Sequence, residues 1–91
     1  KMRITEPFIQ SLGFKTNNFN ITKNYYHQYF IKDNIQIVYD PLEDTWDIIC
    51  RDLSMKTLAT CKTNNQEVFK SFVSFCESIS QLKENEIEED L

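Results

Sequence analysis

From residue 68 onward the apolar positions recur at helical spacing. Val68, Phe72, Phe75, Ile79 and Leu82 follow one another at intervals of four, three, four and three, flanked by Phe69, Val73 and Cys76. At about 100° per residue these positions sweep roughly half the circumference of a helix, with Lys70, Ser74, Glu77, Ser78 and Gln81 opposite them. Thr63 with Gln66, or Asn64 with Glu67, supplies a capping box where the period begins. A half-circle is wider than a two-helix seam requires. The pattern therefore predicts a helix lying along a sheet and touched by something else at its margin.

Upstream the period shortens to two. Residues 24–32 and 34–40 are rich in aromatic and β-branched side chains and meet at Asp33-Asn34, which predicts a hairpin with Lys32 opposite Ile35, Phe30 opposite Ile37 and His27 opposite Asp40. One face then carries Tyr26, Phe30, Ile35, Ile37 and Tyr39, the expected core. The other carries Tyr25, His27, Tyr29, Ile31 and Val38. After a turn at residues 41–44, residues 45–50 and 55–61 predict a second hairpin. Its simplest register puts Trp46, Ile48 and Cys50 on a face with Met55, Thr57, Ala59 and Cys61. At the other end of the chain, Thr5 caps a short helix over residues 6–12 that tolerates Pro7 in its first turn and ends at Gly13. Ile4 and Ile9 form its hydrophobic staple, and Phe14 folds back on Ile9. Residues 15–23 are polar apart from Phe19 and Ile21 and read as a loop or a weak edge strand.

Together these elements predict a two-layer α+β domain: a short N-terminal helix, a four-stranded antiparallel meander and an amphipathic C-terminal helix packed on one face. Ninety-one residues leave room for one such domain, assigned to residues 1–82. The net charge of −4 belongs to the remainder, since residues 83–91 hold one Lys against Glu84, Glu86, Glu88, Glu89 and Asp90, while residues 1–82 are neutral. Residues 83–91 are thus read as a mobile acidic tail. A neutral body lacks the basic stripe of a duplex-binding protein. No stretch approaches the roughly 20 apolar residues of a membrane helix, and the first residues lack a signal peptide's apolar core, so Met2 is read as the native start and the location as cytoplasmic. Abundant Asn and Ile against one Gly and one Ala suggest AT-rich codons, as in a low-GC bacterium or its phages.

Chemistry narrows the picture by exclusion. Phosphate-binding loops need several glycines to bring the backbone to the phosphates, and Gly13 is alone. Cys50, Cys61 and Cys76 show no paired-ligand spacing, and with His27 they make a poor zinc set. They read as reduced core thiols. In the simplest register Cys50 and Cys61 lie at opposite ends of their hairpin, on the order of 15–20 Å apart. His27 facing Asp40 reads as a cross-strand pair rather than a catalytic base, and Asp40, Glu43, Asp44 and Asp47 as a solvated acidic turn. No cofactor is implied. The expectation is a small non-catalytic protein-interaction or adaptor module that binds a protein partner or itself. Tyr25, Tyr29 and Ile31 on the sheet, and Phe75 and Leu82 on the helix, are its candidate contact residues. The alternative is weak single-stranded nucleic-acid binding, with bases stacked on Tyr25 and Tyr29.

Overall fold

The computed structural model describes the backbone of residues 2–17 and 29–89 and the side chains of residues 2–16 and 29–79. In chain order the elements are α1 (Glu6–Ser11), β1 (Lys15–Asn17), β2 (Tyr29–Lys32), β3 (Ile35–Asp40), β4 (Thr45–Arg51), β5 (Thr57–Thr63) and α2 (Gln66–Glu89). The strands form one antiparallel sheet in the order β1-β2-β3-β4-β5. The α+β class is the expected one, but the meander has five strands rather than four. The added strand is β1, whose Lys15 and Thr16 pair with Ile31 and Phe30 of β2. Three residues with no apolar alternation carry almost no signal of their own; β1 takes its conformation from the edge it pairs with.

α1 forms as its punctuation dictates. Thr5 is extended, and its hydroxyl accepts the Phe8 amide at 3.3 Å. Gly13 adopts φ 93°, which a side chain would strain, and its N–H closes on the Gln10 carbonyl. Ile4, Ile9 and Phe14 are all buried. The first hairpin keeps its predicted register, Lys32 against Ile35 and Phe30 against Ile37, with Asp33 in the left-handed conformation a two-residue turn requires. Phe30, Ile35 and Ile37 are buried as expected. The His27 to Asp40 pairing and Tyr26 lie outside the described residues.

The second hairpin differs in register. Trp46 pairs with Thr63, Ile48 with Cys61 and Cys50 with Ala59, a slip of four positions from the simplest pairing, and a bulge falls at Cys50/Arg51. The cause is the turn: the Asp52 carboxylate accepts the Ser54 and Lys56 amides and the Ser54 hydroxyl, and Met55 sits at φ 69°, so a five-residue loop replaces a tight one. An even slip keeps each residue on its face. Ile48, Cys50, Ala59 and Cys61 therefore still point one way, whereas Met55 lies exposed in the loop and Thr57 at the bulge.

α2 is capped by Asn65 rather than by either predicted box. Its side-chain carbonyl accepts the Glu67 and Val68 amides at 2.8 and 3.3 Å, and Thr63 Oγ1 accepts the Asn65 amide. The helical backbone runs through Glu89, into the stretch read as a tail. Its buried line is Phe69, Val73 and Cys76, the positions expected at the flank; Phe72 is half-buried, and Val68 and Phe75 remain 44% and 50% exposed. α1 explains the rotation. It shares the helical layer, and Phe8 and Phe14 meet the Phe69 ring edge-on at centroid distances of 5.3 and 6.0 Å, drawing Phe69 to the centre. Beneath them the sheet contributes Phe30, Ile35, Ile37, Trp46, Ile48 and Cys50 to the same core.

Candidate functional site

The sheet face turned away from α2 carries two of the candidate residues. Tyr29, Val38, Asp47 and Lys62 form one row across it, and Ile31, Gln36, Ile49 and Thr60 the next. Tyr29, Ile31, Val38 and Ile49 are each half-buried by their neighbours. The cations near this face are engaged. Lys62 donates to Asp40 at 3.1 Å and to Glu43 at 2.8 Å, and these bonds, that to Glu43 foremost, hold its ammonium far above the ordinary lysine range. Arg51 spans Gln36, Thr57 and the Met55 carbonyl at 3.2, 3.0 and 3.3 Å. Asp40 is held below the usual carboxylate range chiefly by Lys62. Asp40 and Glu43 are thus ion-pair acceptors within a turn that remains in contact with solvent. Asp44 completes it, taking the Tyr39 hydroxyl at 2.7 Å and pairing with Arg3. Tyr25 lies outside the described residues.

The two sides of α2 differ in what they meet and in charge. Toward α1 and β2, Lys70 lies over the Phe8 ring at 5.7 Å and Glu77 approaches Lys32 at 3.9 Å. Met2 lines a shallow recess with Asn65, Gln66, Glu67 and Lys70 on that same side. α2 lies across β4 and β5. Its far side, displaced from the buried line toward the outer edge of β5, carries Val68, Ser71, Phe72, Phe75, Ser78 and Ile79. None of these is charged, and the Phe72 and Phe75 rings meet at a centroid distance of 6.0 Å, tilted by 40°. Phase follows from the buried line: Val68, Phe72, Phe75 and Ile79 fall to one side of Phe69, Val73 and Cys76, while Lys70 and Glu77 fall to the other. Leu82, the remaining candidate, continues this helix, but its side chain lies outside the described residues. Among the described residues, Phe75 is therefore the predicted contact residue that the fold leaves most open. Val68 was expected in the core and joins it.

The cysteines gather in a way the sequence register did not predict. With Cys50 opposite Ala59, Cys61 is its diagonal neighbour, about 7–8 Å away rather than at the far end of the hairpin. Cys76 closes the group from α2, its carbonyl 4.0 Å from the Cys50 sulfur. All three are thiols. Burial, then the hydrogen bond with Cys50, pushes the Cys76 thiol up to about 12, and burial raises Cys61 as well. Thiols held protonated in an apolar core are weak nucleophiles. Among the described residues no group of three His, Cys, Asp or Glu side chains is arranged to hold a metal, and no helix is long and apolar enough to cross a membrane.

Compared with protein-family models, with curated proteins and with solved structures, the chain matches none.

Proposed function

We propose that this protein is a small, non-catalytic interaction module that binds a protein partner or another copy of itself through the side of α2 that carries Val68, Phe72 and Phe75. One observation carries the reading: an unbroken run of Val68, Ser71, Phe72, Phe75, Ser78 and Ile79 without a charge, in which Val68 and Phe75 stay 44% and 50% exposed although the same helix buries Phe69 completely. Interface centres are depleted of charge and enriched in aromatic side chains, the composition of this side. Full burial of a Val or Phe side chain is worth about 1.5–3 kcal/mol, so two such side chains left half in water hold on the order of 2 kcal/mol in reserve for association. The non-catalytic part of the reading is supported by the chemistry of the reactive groups. Burial raises the Cys61 and Cys76 thiols, and the acidic-turn carboxylates Asp40, Glu43 and Asp44 are committed to Lys62, Arg3 and Tyr39.

Cross-linking and affinity capture with the intact chain, the Phe75→Glu variant and the Tyr29→Ala variant test it. The intact chain and Tyr29→Ala are expected to retain a partner that Phe75→Glu loses at unchanged thermal stability. Retention by Phe75→Glu and loss by Tyr29→Ala would transfer the function to the opposite sheet face.

A further inference from the structure

We infer that Cys50 and Cys76 are the two halves of a disulfide that forms when the chain folds among low-molecular-weight disulfides, and that the finished fold then protects whichever redox state it has enclosed. The inference goes beyond the interaction role and does not depend on it.

Two separate layers build the pair. Cys50 comes from β4 and Cys76 from α2, and both side chains are completely buried. The Cys50 thiol faces the Cys76 carbonyl at 4.0 Å, and the two thiols are hydrogen-bonded to each other. α2 lies across β4, so a bond between these sulfurs joins the helix to the sheet it already packs on. The pairing within the sheet fits worse. Cys50 and Cys61 are diagonal neighbours about 7–8 Å apart, beyond the roughly 4.4–6.8 Å over which a disulfide closes without strain.

Burial decides when the bond can form. In the unfolded chain both thiols meet solvent and ionise as free cysteines do. A thiolate there attacks a small disulfide RS–SR, forming a mixed disulfide and releasing one RSH. As α2 docks on β4, the sulfur of the second cysteine attacks that of the first. The protein S–S bond forms, and the remaining RS group leaves as a second thiol. Two protein thiols are thereby oxidised and one RS–SR is reduced to two RSH. Once the core closes, neither a disulfide nor a thiol reaches the pair, and the apolar surroundings oppose the thiolate that exchange requires. The packing that keeps a reduced chain reduced therefore keeps an oxidised chain oxidised. The bond closes a loop of 26 positions, which restricts the unfolded chain and leaves the native one in place.

Refolding from urea in a mixture of oxidised and reduced glutathione, beside refolding in reductant, tests the inference. The oxidised product is expected to lose two of its three thiols, to yield a digest fragment joining the Cys50 and Cys76 peptides, and to melt roughly 10–20 °C higher. Cys61→Ser is expected to behave the same way, whereas Cys76→Ala gains no stability from the oxidised buffer. Folded chain placed in that buffer without urea is expected to keep both buried thiols. Should Cys76→Ala fail to fold, the mapped bond in the intact chain and in Cys61→Ser carries the test. Glutathione adducts alone, a dominant bond to Cys61, or an oxidised form that melts no higher than the reduced one overturns the pair. Oxidation of the folded chain as fast as the unfolded one overturns the protection.

Discussion

Cys50 and Cys76 touch across the sheet–helix interface with neither exposed, while Cys61 is half-buried one diagonal away. Since the thiolate is the reacting species and burial opposes it, an aromatic disulfide reagent near pH 8 is expected to modify at most Cys61, slowly, in the native protein and all three thiols after denaturation. Rapid native modification of Cys50 or Cys76 would contradict the packing. The bond between Tyr39 and Asp44 ties stability to pH at both ends. It holds Asp44 below its usual 3.8, aided by Arg3, and raises Tyr39 above 10.0. A lowered carboxylate contributes stability at higher pH that disappears as pH falls through its folded value. A raised phenol contributes stability at lower pH that disappears as pH rises through its folded value. The melting temperature is therefore expected to fall below about pH 4 and again above about pH 10, and Tyr39→Phe to flatten the alkaline fall and weaken the acid one. Unchanged slopes in that variant would remove the bond from the account.

Within elements, α2 separates residues that the sequence treats alike. Phe69 is fully buried between α1 and the sheet, so Phe69→Ala is expected to cost about 3–5 kcal/mol in denaturant unfolding, whereas Phe75→Ala, half in water, should cost less than about 1.5 kcal/mol in the monomer. Equal costs would mean the buried line is drawn wrongly. Both phenylalanines belong to one apolar half-circle, and the helical period alone does not tell which part of it the sheet takes. That choice was made by Phe8 and Phe14, which approach from a separate element. The first hairpin and α1 were legible because their signals are local: Asp33-Asn34 sets a register, and Thr5 and Gly13 set two ends. The slip in β4 and β5 was not, because it depends on Asp52 recruiting Ser54 and Lys56 into a longer loop. The faces survived the slip because it was even. Asn65 displaced the expected caps because one residue can serve two amides without the reciprocal partner a capping box needs.

For the whole molecule, the sheet order decides which surface is open. Phe75 and the wide apolar arc were visible in the sequence, but the place of β5 at the end of the strand order beside them was not, since strand order is a long-range property. Val68, Phe72 and Phe75 lie on the flank toward β5, and the charged residues Glu67, Lys70 and Glu77 lie away from it. Association through this flank is the central claim. Chemical shifts of the labelled chain, followed as its own concentration rises and as a captured partner is added, measure it directly. The account predicts shifts centred on Val68, Phe72 and Phe75. Shifts confined to Tyr29, Ile31 and Val38, or none in either titration, would contradict it.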